Sequence, residues 1–338
     1  MDPLSDVLRG LQLSGALMFR AELKAPWCYE VPDTDEMLPL VCPDADRLVR
    51  FHVVVAGRCF VKVGEQTLWL HARDVIVLPQ DDPHILGSAV DVPPVPVLSV
   101  LPKPPEIDGV LPCLANRGGE HATTLLCGFL AFDEPIFDPL ISALPRVLVD
   151  STDPTASRSW FDAMLEYVIH PDGDAPRSGW QAMQTRLVEL MFIEVVRRHV
   201  ENLPEGNASG LGALRDPQIG RAVAELHADP ARAWTVAALA KRVGLSRSVL
   251  AERFRKATGM APMQYLGAWR LQLAAGFMRR GELSIAEAAA RVGYTSEPAF
   301  HRAFKRVVGE PPAAWRARAG AAVETDARAR KPDVRAYP

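Results

Sequence analysis

The sequence predicts an α+β protein of several domains: antiparallel strands in the N-terminal part, a helical connector, and an all-helical C-terminal domain. Three observations predict this fold class. A segment near residue 240 is repeated about fifty residues later, residues 48–100 alternate in polarity, and charge is distributed unevenly along the 338 residues. A chain of this length is expected to form two domains.

The repeat is the strongest of these signals. Residues 240–256 read AKRVGLSRSVLAERFRK, and residues 290–306 read ARVGYTSEPAFHRAFKR. The two copies are offset by 49 residues at their Val-Gly pair and by 50 residues from Leu250 and Phe300 onward. One extra residue in the turn of the second copy explains the difference. Repetition at this period indicates a duplicated supersecondary unit.

The first copy has the pattern of a helix, a tight turn and a second helix. Apolar residues recur at helical spacing over 236–243, and Gly244 then ends the helix because glycine tolerates the left-handed conformation of a C-terminal cap. Ser246 is the predicted N-cap of the next helix. Leu250 and Phe254 are expected on the buried face of that helix, which completes a helix-turn-helix unit.

The second copy repeats this arrangement. Residues 284–287 read SIAE, which matches a capping box, and Gly293 is expected to form the turn. Either Thr295 or Ser296 is the predicted N-cap of the following helix. The residues of this helix that are expected to point inward are Phe300 and Phe304.

The outward faces of the two second helices carry groups that can recognise nucleic acid. Arg can bond to guanine in a bidentate manner, Glu can accept from cytosine, and Lys and His can meet phosphate or base. A solvated helix face is the alternative for any single residue. The repeat, the turn chemistry and the charge agree, so we predict binding to double-stranded DNA. The candidate residues are Arg247, Ser248, Glu252 and Arg255 in the first copy, and Glu297, His301, Arg302 and Lys305 in the second.

Charge supports this interpretation. Residues 1–214 contain 16 Lys and Arg against 30 Asp and Glu, whereas residues 215–320 contain 18 against 8. A basic C-terminal part favours a polyanionic partner.

The segment between the two copies predicts a rigid spacer. An apolar stripe indicates one helix of about 18 residues, roughly 27 Å long. Such a helix would hold both recognition helices on one face of a duplex, where adjacent major grooves are about 34 Å apart. The predicted stripe is Met263, Leu266, Trp269 or the stem of Arg270, Leu273 and Phe277.

At this point the chain resembles a known family. Residues 215–318 look like the DNA-binding domain of AraC/XylS transcription regulators, through WTVAALAKRVGLSRSVLAERFRKATGMAP and LSIAEAAARVGYTSEPAFHRAFKRVVGEPPAAWR. The resemblance implies a seven-helix domain, binding to promoter DNA through 247–256 and 297–306, and RNA polymerase as a partner if the protein is an activator. It also implies that Phe304, Gly309 and Pro312 are structural.

The N-terminal part has a different pattern. Residues 48–100 alternate, are rich in Val and are broken by glycines, which predicts short antiparallel strands. The segment 74–79 followed by His84 is similar to the second motif of cupin barrels, and 120–130 would supply a further strand. Residues 1–150 resemble cupin-type sensor domains of the same family, so the resemblance implies a cupin-like antiparallel β-barrel.

Cupin barrels often hold a metal, and three residues are candidates here. His52 lies where the first cupin motif would be, His84 matches the second motif, and Cys127 lies on a later strand. A His/His/Cys set suits zinc, with a fourth ligand from Cys28, His121 or water. The alternative is that the histidines are hydrogen-bonded core residues and Cys127 is a small buried hydrophobe.

Two other kinds of signal remain open. Some cupin-type regulators respond to oxidants, and a reactive thiolate could serve this purpose, with Cys127 as first candidate and Cys28 as second. An organic effector inside the barrel is the competing hypothesis. Its expected lining is Phe51, Val53, Trp69 and Ile76, or their neighbours.

The rest of the chain predicts connections. Residues 151–200 are predicted to be helical. The resemblance implies that 178–200 pairs two chains into a homodimer, and the alternative is that this helix packs on the domain's own strands. The stripe predicted for this helix is Trp180, Met183, Leu187, Leu190 and Met191. Residues 201–214 read as a flexible linker, 215–320 as the DNA-binding domain, and 321–338 as a disordered tail.

These features predict a sequence-specific DNA-binding transcription regulator whose cupin-like domain senses a small molecule, metal or oxidant. The alternative is a cupin-type enzyme, a dioxygenase or isomerase, fused to a DNA-binding domain. The first cupin motif lacks its histidine pair and glutamate, which counts against catalysis. Five scattered cysteines, no signal peptide and no apolar run of about 20 residues predict a cytoplasmic protein with no membrane segment.

Overall fold

The computed structural model divides the chain into two compact units. The first comprises Gln12–Glu134 and Leu144–Asn202 and is called the sheet unit; the second comprises Met1–Leu11, Pro135–Ala143 and Leu203–Pro338 and is called the helical unit. The predicted tail, most of the predicted linker and His121 lie outside the described residues. The residues described are 4, 13–41, 45, 47–100, 113–116, 119, 122–132, 136–137, 141–151, 159–169, 179–203 and 216–318.

The sheet unit contains the predicted short strands, but residues 48–54 and 75–78 are buried on both faces and do not follow the predicted alternation. The breaks predicted at the glycines are turns at Gly57 and Gly64, which separate three successive strands. The strands are β1 (Leu13–Lys24), β2 (Cys28–Val31), β3 (Arg47–Ala56), β4 (Arg58–Val63), β5 (Gln66–His71), β6 (Val75–Leu78), β7 (His84–Gly87), β8 (Val95–Pro96), β9 (Cys113–Ala115), β10 (Ala122–Phe132) and β11 (Leu148–Asp150).

These strands form two sheets and not the closed barrel that the resemblance implied. Their orders within the described residues are β11-β6-β3-β10-β1-β9 and β5-β4-β7-β2-β8. Apolar side chains of both sheets, such as Leu125 and Val61, share one core. Alternation predicts which side of a strand is buried but not which strands pair, and the edge strands β8, β9 and β11 have only two or three residues with which to continue a ladder.

Within the described residues of the sheet unit, three helices accompany the strands: α1 (Thr34–Val41), α2 (Ser159–Ile169) and α3 (Trp180–Asn202). Helix α3 packs on β1, and its Phe192 ring lies 6.1 Å from that of Phe132. Among the side chains of the predicted stripe that the structure describes, which exclude Trp180, only Met191 is buried, and Leu190 is 51% exposed. The predicted stripe was wrong because it was rotated by about one residue. The buried face is Val188, Met191, Phe192, Val195, Val196 and Val200.

The helical unit contains the predicted duplication. The predicted helix caps are present. Ser246 Oγ accepts from the Val249 amide, and Ser284 and Glu287 form the capping box. Of the two candidates for the last N-cap, Ser296 caps the second recognition helix. The helices are α4 (Pro217–Ala228), α5 (Val236–Val243), α6 (Arg247–Thr258), α7 (Pro262–Arg279), α8 (Ile285–Arg291) and α9 (Glu297–Val308), and residues 312–318 are also helical.

Helix α7 has the predicted 18 residues, and its predicted stripe was correct but incomplete. Leu266 and Trp269 are buried, and the other three members of the stripe pack against the two cores. Tyr265 and Leu266 are buried in the core of the first helix-turn-helix unit, whereas Leu271, Ala274 and Met278 are buried in the core of the second. Because α7 serves two cores that lie on different sides of it, its buried residues do not fall on one face. None of the helices within the described ranges is long and apolar enough to cross a membrane.

Candidate nucleic-acid interface and sensor pocket

The two recognition helices, α6 and α9, are held by the same internal packing. Leu250 and Phe254 of α6 have no exposed surface, and neither do Phe300 and Phe304 of α9. The Phe254 ring meets Tyr265 at 5.5 Å and 82°; at the equivalent position of the second copy, Phe304 meets Trp315 at 5.7 Å and 71°. The repeat in the sequence is therefore a repeat of three-dimensional packing.

The predicted DNA-binding side chains lie on the opposite face of each helix. In α6 all four are exposed. In α9 three are exposed, and His301 is half-buried with its Nε2 3.4 Å from Glu297 Oε1. The exposed members of the predicted set are Arg247, Ser248, Glu252, Arg255, Glu297, Arg302 and Lys305.

The cations on these faces are available to a ligand. Within the described part of the chain, no hydrogen bond or ion pair engages Arg247 or Arg255 on α6, or Arg302 on α9. Lys256 and Arg306 are also exposed and follow directly in the two copies, although sequence reasoning did not single them out. Their positions one residue after Arg255 and Lys305 place them beside the predicted face. Both helices can thus present several positive charges to phosphate.

One arginine of α6 has a structural role that the sequence did not indicate. Arg253 Nη1 donates to Gln218 Oε1 at 2.7 Å, and Nη2 donates to Asp216 Oδ2 at 2.6 Å. Asp216 is the N-cap of α4, so this bond ties the recognition helix to the first helix of the unit. Burial alone would raise the pKa of Asp216, but the Arg253 and backbone hydrogen bonds hold it below its usual value.

An aromatic cluster lies behind the first unit. The His227 ring stacks on Trp269 at 4.0 Å and on Tyr265 at 5.7 Å, and its Nε2 lies 3.0 Å from the Tyr265 hydroxyl. Burial lowers the pKa of His227 to about 4, so the imidazole is neutral at physiological pH.

Residues 136 and 137 belong to the helical unit although they precede helix α4 in the sequence by some eighty residues. Phe137 packs on the first core, with its ring 5.1 Å from Tyr265 at 88°, and its amide donates to Gln272 Oε1 at 3.1 Å. Ile136 packs on the second core. Sequence reasoning missed this pair because two apolar residues in a loop carry no periodic signal.

In the sheet unit the structure brings the two candidate histidines together. His52 on β3 and His84 on β7 approach with their Nε2 atoms 2.8 Å apart, and both are buried. Cys127 on β10 is the Cα partner of His52 in the sheet. No group of three His, Cys, Asp or Glu able to hold a metal occurs among the residues described, so Cys127 does not complete such a set with the histidines.

Hydrogen bonding fixes the tautomers of this pair. His84 Nδ1 lies 3.0 Å from the Asp82 carbonyl, which can only accept, so Nδ1 carries the proton. Burial lowers the pKa of His84 to about 3, so its Nε2 is bare and accepts from His52 Nε2–H. Burial, together with the neighbouring His84 ring and the charge of Arg50, also lowers the pKa of His52. His52 Nδ1 is then a bare acceptor, and it is buried without a partner.

The candidate redox thiols are protected in this structure. Cys28 and Cys127 are both buried. Burial raises the pKa of the Cys28 thiol, and burial together with the neighbouring Cys59 raises that of Cys127. A protonated, buried thiol is a poor nucleophile, so neither cysteine has the surroundings typical of a redox sensor.

A pocket opens beside this pair, between side chains of both sheets. Its lining includes Trp27, His52, Leu86 and Cys127, but none of the four residues proposed as lining for an effector. Trp69 was wrongly expected inside: it is 44% exposed, because the alternation of β5 turns Leu70 inward and Trp69 outward. Phe51, Val53 and Ile76 are fully buried and do not line the pocket. His52, which lies between Phe51 and Val53 in the sequence, lines it.

The chain matches two protein-family models, one described as Cupin over residues 2–201 and one described as Helix-turn-helix domain over residues 239–318. A protein of Streptomyces lividans named as an AraC-like transcription regulator is 32% identical over 94% of this chain and 98% of its own length. The HTH-type transcriptional regulator AlkR of Acinetobacter baylyi is 26% identical over 94% and 99%, respectively.

Among solved structures, the DNA-binding domain of AdpA in complex with a target DNA is 34% identical over 35% of this chain and 98% of that domain, with a TM-score of 0.29. The Cupin match covers more than half of the sequence, and the Streptomyces relative is similar over nearly all of it. The chain therefore belongs to the AraC-like transcription regulators, with a cupin-like ligand-binding domain followed by a helix-turn-helix DNA-binding domain.

Proposed function

We propose that the two recognition helices read successive major-groove segments of a promoter, and that a chemical signal in the sheet unit controls this binding. The observation that carries the proposal is the duplicated packing of α6 and α9, each with an apolar inner face and an exposed face rich in cations. A single chain with two such helices can contact more bases than one unit can.

Within each helix the side chains have different roles. Arg302 and Arg247 are long, exposed and unpaired among the described residues, which suits base recognition in the groove. Lys305, Arg255, Lys256 and Arg306 lie further along the helices, and we assign them to phosphates, which position the protein without reading sequence. Ser248, Glu252, Glu297 and His301 complete the faces as hydrogen-bonding groups.

The signal would be transmitted by a change in population between DNA-binding and non-binding arrangements. One route along the chain is available. The chain leaves strand β10, contributes Ile136 and Phe137 to the cores of both helix-turn-helix units, and returns to form β11. A ligand that shifts the end of β10 would act on a segment that is shared by both cores.

The proposal is tested by selecting bound duplexes from a random pool with the purified full chain. The selected duplex and a scrambled duplex of equal length are then titrated at matched salt. We expect a preference of at least about a thousandfold for the selected sequence. Equal affinity for the two duplexes would contradict sequence-specific regulation and favour a protein that organises DNA without reading it.

Several finer proposals accompany this function. If the protein activates transcription, RNA polymerase is its partner. A homodimer through 178–200 is a further proposal, and the exposed apolar residues Met183 and Leu190 of α3 are available to a second chain. Oxidant sensing by Cys127 or Cys28 would first require an opening that exposes the thiol.

Zinc bound by His52, His84 and Cys127 also remains a prediction. As the side chains stand, they do not fit a zinc site, because the two Nε2 atoms are committed to each other. Metal content per chain, measured on protein purified without a His tag or chelator, tests this. One ion per chain, lost in His52→Ala, would support the zinc site.

The second candidate function is a cupin-type enzyme fused to the DNA-binding domain. No specific observation favours it, and the relatives reported above are named as regulators. Turnover of small substrates by the full chain would support this alternative.

A further inference from the structure

The loop between α4 and α5, residues 229–235, is fixed to the first helix-turn-helix unit, and we call it the bridging loop. Trp234 near its end is buried in the first core, and the indole Nε1–H donates to the Asp229 carbonyl at 2.9 Å. The guanidinium of Arg232 lies over the same indole, 4.3 Å from the ring centroid, and the Arg232 amide donates to Asp229 Oδ1 at 3.2 Å. The conformation of the bridging loop is therefore set by contacts within the first unit.

The bridging loop also contacts the turn of the second unit. A Cβ built on Gly293 would lie 2.5 Å from the carbonyl oxygen of Ala231, so the two backbones meet directly only because residue 293 has no side chain. Tyr294 follows Gly293 in the same turn, and its ring lies 5.3 Å from that of Phe300, at 75°. Phe300 is a fully buried residue of the recognition helix α9. A series of contacts thus joins the first core to the second recognition helix.

Arg270 of helix α7 binds the bridging loop at two points. Its Nε donates to the Pro230 carbonyl at 2.7 Å, and its Nη2 donates to the Arg232 carbonyl at 2.8 Å. The planar guanidinium suits two acceptors at fixed positions. Arg270 lies between Leu266, which α7 contributes to the first core, and Leu271, which it contributes to the second. It therefore attaches the bridging loop at the junction of the two cores.

Helix α7 alone would fix the two units less firmly. Each unit packs on a different stretch of α7, so a bend of the helix between them would change the angle between α6 and α9. The bridging loop adds a second connection, through Gly293, which is separate from the contacts of α7 with the second core. Two separate connections between the same bodies restrict bending and rotation more than one connection does. The two recognition helices are thereby held at one separation and one relative orientation.

We propose that the bridging loop and Arg270 fix the spacing of the two recognition helices, so that the protein selects promoters by the number of base pairs between the two segments that it reads. Arg270 acts here as a positioning residue, since it binds the loop and not the bases. The inference rests on the proposed function, because it concerns two helices that read one promoter. It deepens that function by adding the length of the intervening DNA to what the protein recognises.

The first test uses the wild-type full chain and the duplex selected from the random pool, with binding measured by fluorescence anisotropy. Protection from hydroxyl radicals locates the two contacted segments of that duplex. One base pair is then inserted or removed midway between them, which changes their separation by about 3.4 Å and their relative rotation by roughly 34–36°. We expect either change to weaken binding at least about tenfold, because the base contacts of one helix are lost.

Replacing one base pair at the same place, without a change in length, is the control and is expected to have little effect. Undiminished binding to both duplexes of altered length would overturn the proposal.

Variants of Arg270 test its part in the spacing. Arg270→Met keeps the apolar stem and removes both bonds to the bridging loop, so the loss of affinity on insertion is expected to be at least about twofold smaller than in the wild-type chain. Arg270→Lys keeps the positive charge but not the planar fork, and we expect most of the same change. Arg280→Met removes an equal charge at the C-cap of α7, where Arg280 pairs with Glu282. It is the matched control and is expected to keep the wild-type loss.

A loss on insertion that is unchanged in both Arg270 variants, or equally reduced in Arg280→Met, would overturn the role of Arg270. If Arg270→Met fails to fold, Arg270→Lys decides.

A measurement without DNA separates this inference from the proposed function. Spin labels are introduced as unnatural amino acids at the exposed positions 252 on α6 and 302 on α9, and the distance between them is measured by pulsed electron paramagnetic resonance. We expect one narrow distance distribution in the wild-type background and a broader one in either Arg270 variant. A broad distribution in the wild-type background would overturn the fixed spacing even if the chain reads DNA sequence. A narrow distribution in a chain with no preference for the selected duplex would refute selection by length together with the proposed function, and only the fixed spacing would stand.

Discussion

The two helix-turn-helix units share their interiors and differ at their surfaces. In both, two apolar residues of the recognition helix are fully buried and an aromatic ring closes the core edge-on. On the surface, Arg247 of the first copy corresponds to Glu297 of the second, and Glu252 corresponds to Arg302. The two copies therefore share their core packing, whereas the residues that face DNA have diverged. The two recognition helices are expected to read different bases.

The turns differ as well. Gly244 and Gly293 both have positive φ angles, of 73° and 91°. A Cβ built on Gly244 would meet nothing within 4 Å, whereas one on Gly293 would lie 2.5 Å from the Ala231 carbonyl oxygen and 2.6 Å from the Ala231 Cα. The second turn therefore packs against the backbone that precedes α5, and the first turn is open.

The largest expected effect follows from this contrast in the turns. Gly244→Ala is expected to lower the free energy of unfolding by about 1–2 kcal/mol, because alanine is strained in the left-handed conformation. Gly293→Ala should cost roughly 2–5 kcal/mol, because the backbone must also move away from the new methyl group. Urea unfolding followed by the helical circular dichroism signal measures both. Equal losses in the two variants would show that the packing against Ala231 is not rigid.

The cores also differ in one titratable group, since His227 lies beside the first core. Its folded pKa of about 4 is below the unfolded value of about 6.5, so the unfolded chain binds the proton more readily between these pH values. Stability contributed by neutral His227 is therefore present above about pH 6.5 and is lost as the pH falls toward 4, by up to about 3 kcal/mol.

His227→Phe tests this, with urea midpoints measured at pH 7.5 and pH 5. The variant is expected to lose less stability on acidification than the wild-type chain. His52 and His84 are present in both proteins and contribute equally to the loss of stability in acid. The difference in acid loss between wild type and variant therefore reports on His227 alone. The same acid loss in variant and wild type would mean that His227 is not buried as a neutral group.

The next effect concerns the diverged surface. Arg302→Ala is expected to weaken binding to the selected duplex by about 1–3 kcal/mol if the guanidinium bonds to a base, with relaxed sequence preference. Glu252→Ala, at the equivalent position of the first copy, is the matched variant and should change affinity less, since its removal also relieves repulsion from phosphate. Fluorescence anisotropy over a range of salt concentrations separates the causes. A uniform loss on all sequences with a smaller salt slope would make Arg302 a phosphate contact.

The smallest effect concerns a tie that only the first unit has. Arg253 binds Asp216, and the equivalent position in the second unit is Ala303. Arg253→Met keeps the apolar stem and is expected to cost about 1 kcal/mol or less, because the Arg253 side chain is 38% exposed.

The pH dependence gives a sharper measurement of that tie. Asp216 has a lowered pKa when folded, so the stabilisation is present above the unfolded value of about 3.9 and is lost as the pH falls through the folded value. The difference between Arg253→Met and wild type should therefore be present at pH 7 and vanish in strong acid. Arg255→Met is the control and should leave stability unchanged at both pH values.

The helical unit could be predicted from the sequence nearly residue by residue. Its caps at Ser246 and Ser284 and its turn glycines use local chemistry, which needs only a few neighbouring residues to be recognised. The stripes of α3 and α7 were harder. The buried residues of α7 are divided between two cores, so they do not form one stripe. Helix α3 also has apolar residues on its exposed side, such as Leu190, so the sequence alone does not show which side is buried.

The candidate site was predicted only in part, for a similar reason. The sequence identified His52 and His84, but their mutual hydrogen bond depends on the pairing of β3 and β7 with strands that alternation does not specify. Arg253 and Phe137 were missed as candidates because each acts through a partner that is distant in the sequence. Long-range contacts of this kind have no periodic signal in the chain.

The contribution of Ile136 and Phe137 to the helical unit has a practical consequence for protein engineering. A chimaera made by joining a foreign sensor to this chain within 204–215 would leave both residues behind with the discarded sheets. Tyr265 and Gln272 would then lose the ring and the amide that meet them. Transplants of this DNA-binding region into other regulators should therefore carry an Ile-Phe graft at the corresponding loop of the recipient.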